Sequence, residues 1–179
     1  MDFLELCKRR ESCRSYTGAP VGDEDLRKIV EAGRLSPSAC NSQPWKFYVV
    51  NGGARADAVR RGVQWMGNNK FTDKAPAFIV VFGAKENYTE RIGEALFGRE
   101  FSSIDIGIAA ANMVLCAASL GLGTCILGMF KDGEVKEGLG LSAKDKGVIK
   151  LVISVGVPAT DKPRDKKRKP TDEIAVFVK

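Results

Sequence analysis

Apolar positions along this 179-residue chain fall into alternating helical and extended runs. Phe3, Leu4, Leu6 and Cys7 fit a short helix at the start. Leu26, Ile29, Val30 and Gly33 recur at helical spacing behind Asp23, which can serve as the cap. Pro37 disfavours helix at Ser36, so this second helix is expected to end near Leu35. "WKFYVV" (45–50) reads as a strand from its aromatic and β-branched content, "GG" at 52–53 as a turn, and 54–66 as a further helix. "AFIVVFG" (77–83) is apolar enough for a strand buried on both faces. "SIDIGIAAANMVLCAASLGLG" (103–123) predicts the longest helix, closed by Gly121. Its many small residues let other backbones approach closely, either in the core of one chain or across a dimer interface. "TCILG" (124–128), "VIKLVISVGVP" (148–158) and "EIAVFVK" (173–179) predict three more strands, with a short helix over 131–139. The last strand is free to join its own sheet or that of a partner. The order predicts one domain over 1–179, an α/β or α+β sandwich around one main sheet.

Composition changes this picture mainly by exclusion. At 44% apolar, the chain can bury a substantial core. Its apolar windows are interrupted by polar residues, so no membrane helix is expected. The opening "MDFLELCKRR" places its acids before its bases, the reverse of a secretory signal, which points to the cytoplasm. Five scattered cysteines without a CxxC pair argue against a disulfide framework or a zinc site. Histidine is absent, which removes Ser–His and Cys–His nucleophiles and the commonest metal ligand. The net charge of +6 is concentrated in two clusters, Lys8, Arg9, Arg10 and Arg14 near the start and "KPRDKKRK" (162–169) near the end. Such clusters serve nucleic acid, an anionic membrane or an anionic small ligand, or are simply solvated.

Three stretches have the residue types that chemistry needs. In "RRESCRSY" (9–16), an extended backbone would aim Arg10, Ser12 and Arg14 to one side. Two fork-shaped cations and a hydroxyl suit a phosphate, although the same pattern also occurs on ordinary surfaces. In "SPSACNSQPW" (36–45), Ser38, Asn41 and Gln43 offer donors and acceptors without charge. They suit a neutral heterocycle with an amide-like edge, or they satisfy the loop's own backbone. In "GLGTCILG" (121–128), a strand ending in Gly128 leaves its backbone open to close approach. There is no GxGxxG opening a helix and no Walker lysine motif, so a Rossmann or P-loop nucleotide site is not indicated.

The order of these stretches, an RxSxR start, "PSACNSQPW", a small-residue helix ending in "LGLGTCILG" and a late "RKP", resembles the nitroreductase family of flavin mononucleotide (FMN) enzymes. The resemblance spans nearly the whole chain. It implies an α+β nitroreductase-like sandwich, a central mixed sheet of about five strands flanked by helices, in an intertwined homodimer with non-covalent FMN at the interface. By position, Arg10 and Ser12 match residues that hold the FMN phosphate, and Lys166 and Arg168 match a C-terminal basic pair that returns to it. Arg14 matches a cation near the pyrimidine edge of the flavin. Pro37, Ser38 and Asn41 match the loop that reaches the flavin from the other subunit, and Asn69 and Lys70 match residues facing the pyrimidine ring. Leu127 and Gly128 match the strand end whose N–H groups lie near flavin N5 and O4; many members have an acidic residue where Leu127 stands.

The implied activity is ping-pong transfer of hydride from NADH or NADPH through FMN to a nitroaromatic, quinone or similar small-molecule acceptor. No side chain is assigned as a nucleophile and no metal is needed. Residues 85–101 are the candidate cover of the site, with Tyr88, Phe97 and Phe101 either lining a pocket or packing on the core. A specialised flavin-dependent reductase of the same fold (dehalogenase, enoate or flavin reductase) is the alternative. A basic nucleic-acid-binding protein is a remote one, since the chain has no recognition helix and no basic strand rich in aromatics.

Overall fold

Strand β2 (Ala77–Gly83) runs through the centre of the molecule, and the alternation of its side chains sets the layers. The computed structural model describes residues 2–84, 98, 100–142 and 147–178. β2 pairs antiparallel with β1 (Trp45–Asn51) on one side and with β4 (Val148–Gly156) on the other, and β4 pairs antiparallel with β3 (Gly123–Leu127). The described sheet therefore has four strands in the order β1-β2-β4-β3.

Phe78, Val80 and Phe82 point to one face of the sheet. There they pack with Val50, Val152 and Leu127 beneath Val59 and Val63 of α3 (Gly53–Val63) and Val135 of α5 (Asp132–Gly138). Ala77, Ile79 and Val81 point to the other face. They pack with Ile153 and Val155 against Leu26 and Ile29 of α2 (Asp23–Arg34) and Ile106, Ala109 and Met113 of α4 (Phe101–Ser119). Each fully buried Val, Ile or Phe contributes about 1.5–3 kcal/mol over its exposed state. The result is a three-layer α+β sandwich, completed by α1 (Phe3–Arg9) and the four-residue α6 (Thr171–Ile174).

Gly33 lets α2 and α4 pack this closely. A Cβ there would lie 2.9 Å from Met113 Cγ and 3.2 Å from Phe47 Cζ. α4 has the length and composition of a membrane span, but half of its apolar window is buried inside this fold. Trp45 and Phe47 stack with ring centroids 6.2 Å apart and belong to the core.

Three expectations are corrected. α2 is preceded by Gly22 as its cap, and Asp23 instead accepts from Asn51 Nδ2 at 2.8 Å. The helix expected over 54–66 ends at Val63, and Trp65–Gly67 forms a tight 3-10 turn in which Met66 has φ of 55°. The mixed sheet of about five strands is a four-stranded antiparallel one among the described residues, and 173–178 adds no strand to it. Thr171–Ile174 coils into a single turn, and Ile174, Val176, Phe177 and Val178 stand out into solvent. The physical reason lies in the sheet order. The segment leaving β4 runs beside β3, whose outer side is bridged by Ser12. Tyr88 and Phe97, with most of the expected cover at 85–101, lie outside the described residues; Phe101 begins α4 and is half-buried.

Candidate functional site

The segment after α1 is extended, and the sheet holds it there. Cys13 N–H donates to Thr124 O at 2.8 Å, Thr17 N–H to Val157 O at 3.0 Å, and Ala159 N–H to Ser15 O at 3.0 Å. Gly123 makes room for this, since a Cβ there would lie 2.7 Å from Cys13 Sγ. Below the segment, the Tyr16 hydroxyl shares a hydrogen bond with Ser154 Oγ at 2.9 Å and donates to Cys13 O at 3.2 Å. Burial pushes the Tyr16 phenol far up and also raises the Cys13 and Cys125 thiols, so all three stay neutral. Cys13 is buried, and alternation around it turns Arg10, Ser12 and Arg14 to the opposite side; the alternation breaks after Arg14, where Tyr16 is buried again.

These three side chains line one cavity of about 270 Å3 together with Arg164, Lys166, Lys167 and Arg168, and with the carboxylates of Glu11 and Asp165, which the cations outnumber. The two basic clusters, more than 140 positions apart, thus meet at one place. Partial burial, then the charges of Arg10 and Arg168, push the Lys166 ammonium below the usual lysine range. An anion in the cavity would relieve that repulsion.

A clasp holds the two segments together. Arg164 donates from Nη2 to Ser12 O at 2.7 Å and from Nε to Glu11 Oε2 at 3.2 Å, and its backbone N–H reaches the same carboxylate oxygen at 3.1 Å. Lys166 Nζ adds a donor to Cys7 O at 3.4 Å. Sequence reasoning missed Glu11 and Arg164. "KPRDKKRK" was visible as a cluster, but nothing in it singles out Arg164, which pins the segment, from the other cations that line the cavity.

The other candidate residues form two further groups. Asn69 Nδ2 donates to Val63 O at 2.8 Å and to Met129 O at 3.1 Å, which ties the turn before Lys70 to the residue just past Leu127 and Gly128. Its amide nitrogen is therefore engaged with the backbone. Leu127 is buried, whereas Gly128 is exposed. The third group, Pro37, Ser38 and Asn41, lies on the α2–β1 connection. Here the loop answers partly to itself: Ser38 Oγ accepts Gln43 N–H at 2.9 Å, and Asn41 Oδ1 accepts Gln43 Nε2 at 3.2 Å.

This loop is far from the basic cavity. It is held near the N-terminal end of α4, where Asp105 Oδ2 accepts Ala39 N–H at 2.9 Å. Ala118, at the opposite end of the helix, borders a small pocket shared with Arg10. The rise along α4 between these positions is about 20 Å. The structure therefore brings together the residues of the basic clusters, and Asn69 with the β3 end, but does not place Ser38 and Asn41 beside the same chain's cavity. An apolar groove of about 930 Å3 lies elsewhere, along α2 and the β1 edge at Val30, Leu35 and Val49. Its charge and position give it no part in binding at the basic cavity.

Known proteins match this arrangement over nearly the full chain. The family model described as the Nitroreductase family covers residues 7–157. A Streptococcus pyogenes protein named "Putative NAD(P)H nitroreductase Spy0809" is 30% identical over 97% of this chain and 98% of its own. A crystal structure of a nitroreductase family protein from Streptococcus pneumoniae superposes with a TM-score of 0.77 at 28% identity, covering 98% of this chain and all of that one. One from Desulfovibrio desulfuricans, in complex with FMN, gives 0.77 at 27% identity over 97% and 95% of the two chains.

Proposed function

This chain belongs to the nitroreductase family, and from that premise we propose that it is an FMN-dependent oxidoreductase. It passes reducing equivalents from NADH or NADPH to a nitroaromatic, quinone or similar small acceptor in a ping-pong cycle. The observation that carries the reading is the convergence of Arg10, Ser12, Arg14, Lys166 and Arg168 on one cavity. A phosphate dianion fits this donor set: fixed cations balance its charge, and the Ser12 hydroxyl donates to it. Bound FMN would supply the hydride chemistry, which accounts for a site with no histidine and no nucleophile.

The chain's own task is then to bind and orient. Arg10, Lys166 and Arg168 neutralise the phosphate, and Arg14 keeps a positive charge at the outer side of the cavity for the electron-rich edge of the ring. The Leu127 and Gly128 N–H groups stand at the β3 end as donors for the ring's polar edge. Asn69 fixes the turn opposite them through Val63 and Met129, with Lys70 following on the same turn.

A homodimer completes this reading. Ser38 and Asn41 are about 20 Å along α4 from their own cavity, which favours their serving the flavin held by the other subunit. The exposed tail at Ile174–Val178 and the groove-lined β1 edge are complementary features of one chain. Strand addition of one subunit's tail to the other's β1 would cover both. The exposed apolar face of α4 around Ile104 offers additional contact area.

The test is direct. Purified protein should bind one FMN per chain, and the loaded protein should reduce an acceptor from an anaerobic panel with NADH or NADPH as donor. Colourless protein that takes up no added FMN overturns the proposal.

A further inference from the structure

α4 contains a single carboxylate, and it is buried: Asp105 is 4% exposed. Ionised groups are rarely placed in such a position unless a partner demands it. Packing gives no reason for a carboxylate here, because Ile106, Ala109 and Ala110 fill the neighbouring positions with apolar groups. The partner is the α2–β1 connection, whose Ala39 N–H donates to Asp105 Oδ2 at 2.9 Å. Seven residues on, two helical turns along the same face, Asn112 Nδ2 donates to Ser36 Oγ at 2.8 Å. Ser36 is itself buried, and its hydroxyl reaches back to Ala32 O at 3.3 Å. The stretch 36–39 is thus tethered at both ends to one rigid helix. Immediately beyond it, Cys40, Asn41 and Gln43 take φ of 50°, 51° and 49°, a region that residues with side chains rarely adopt without support.

We propose that Asp105 and Asn112 are the positioning pair of this site: they fix the path of residues 36–43, and through it the presentation of Ser38 and Asn41 to the flavin. The first half of this statement stands on the hydrogen bonds alone. The second half rests on the flavin reading. Neither residue is proposed to touch a reactant.

The experiment separates the two halves. Amide hydrogen exchange is measured on flavin-free wild type, Asp105→Ala, Asp105→Asn and Asn112→Ala, and each is then titrated with FMN and with riboflavin, which lacks the phosphate. In Asp105→Ala, exchange over 36–43 should accelerate about tenfold, the loss expected for one hydrogen bond, while the β2 amides stay as protected as in wild type. Affinity for FMN and for riboflavin should fall by the same factor, again about tenfold. Asp105→Asn keeps an oxygen that can accept the Ala39 N–H, so its affinities should stay within about threefold of wild type. Unchanged loop exchange in Asp105→Ala overturns the positioning role, as does exchange that rises equally in β2. Affinity lost for FMN alone, or lost for neither flavin, overturns the second half. If Asp105→Ala does not fold, Asn112→Ala decides: faster exchange confined to 36–38 supports the pair, and none refutes it. A wild-type chain that binds neither flavin refutes the flavin reading, while the exchange comparison still decides the pair.

Discussion

Arg164→Ala removes the clasp between the two basic segments, and with it one of the cations that line the cavity. Its magnitude follows from the geometry. The ion pair to Glu11 is 3.2 Å long, with the carboxylate 20% and the guanidinium 56% exposed. Solvent screening limits such a pair to about 0.5–1 kcal/mol. The donor to Ser12 O at 2.7 Å adds about 1 kcal/mol. Losing both should cost about 1.5–2 kcal/mol in holding residues 164–168 over Ser12. At tenfold per 1.4 kcal/mol, FMN affinity should then fall about 10- to 30-fold.

Quenching of flavin fluorescence measures this, with riboflavin as the internal control. The clasp acts only through the phosphate side, so riboflavin affinity should not change. Arg164→Lys keeps the charge but not the planar fork, and should fall between wild type and Arg164→Ala. Because much of the pair is exposed, 0.5 M salt should narrow the difference. The melting temperature should move little, since the clasp contributes nothing to either core cluster. Unchanged FMN affinity, or an equal loss for riboflavin, would refute the assignment of Arg164 to the phosphate side.

Other predictions test other parts of the molecule. Arg10→Ala should weaken FMN retention and leave riboflavin binding intact, as read by flavin release on gel filtration. The Lys166 ammonium lies below the usual lysine range in the flavin-free protein, and a bound dianion would raise it. Binding then takes up a proton, and FMN affinity should decline as pH rises through the window from the lowered value upward. Lys166→Met should flatten that profile. By the same linkage, the unfolded chain binds more protons than the flavin-free fold across that window, so the stability of the fold should rise with pH there. Gly33→Ala places a Cβ 2.9 Å from Met113 Cγ and should cost about 1–3 kcal/mol, seen as a lower melting temperature with FMN affinity retained. Deleting 174–179 should yield monomers in sedimentation velocity if the tail completes the partner's sheet; an unchanged mass would exclude that role.

The legibility of this chain differs between local and long-range features. β2 was read correctly because an unbroken apolar run needs no context, and α2 because Leu26, Ile29 and Gly33 mark one face at helical spacing. The extended path of Arg10–Arg14 could also be read, since alternating residue types signal two-sided exposure. The tail at 173–179 was readable as a strand, but not whether it would join its own sheet, which it does not over the described residues. Its pattern is that of a strand, but which edge a strand pairs with, in its own chain or another, depends on a sheet order that local pattern does not contain. Arg164 and Asp105 were missed for a related reason. In a run of cations, the one that pins the run looks like the rest, and a lone Asp in an apolar helix becomes informative only once the loop it anchors is known.

The sheet order also explains why the two ends of the chain are needed at the same place. β3 is an edge strand, yet Ser12 bridges to Thr124 on its open side. The chain leaving β4 passes the same segment through Val157 and Ala159. Residues 10–14 are therefore sandwiched between β3 and the start of the C-terminal segment, and Tyr16 locks them to Ser154 from below. Given that course, two basic stretches far apart in sequence cannot avoid each other, and their mutual repulsion is built into the fold. Glu11 offsets part of it through Arg164. The rest is a standing preference for an anion at that spot, which an uncharged variant of either cluster would reduce.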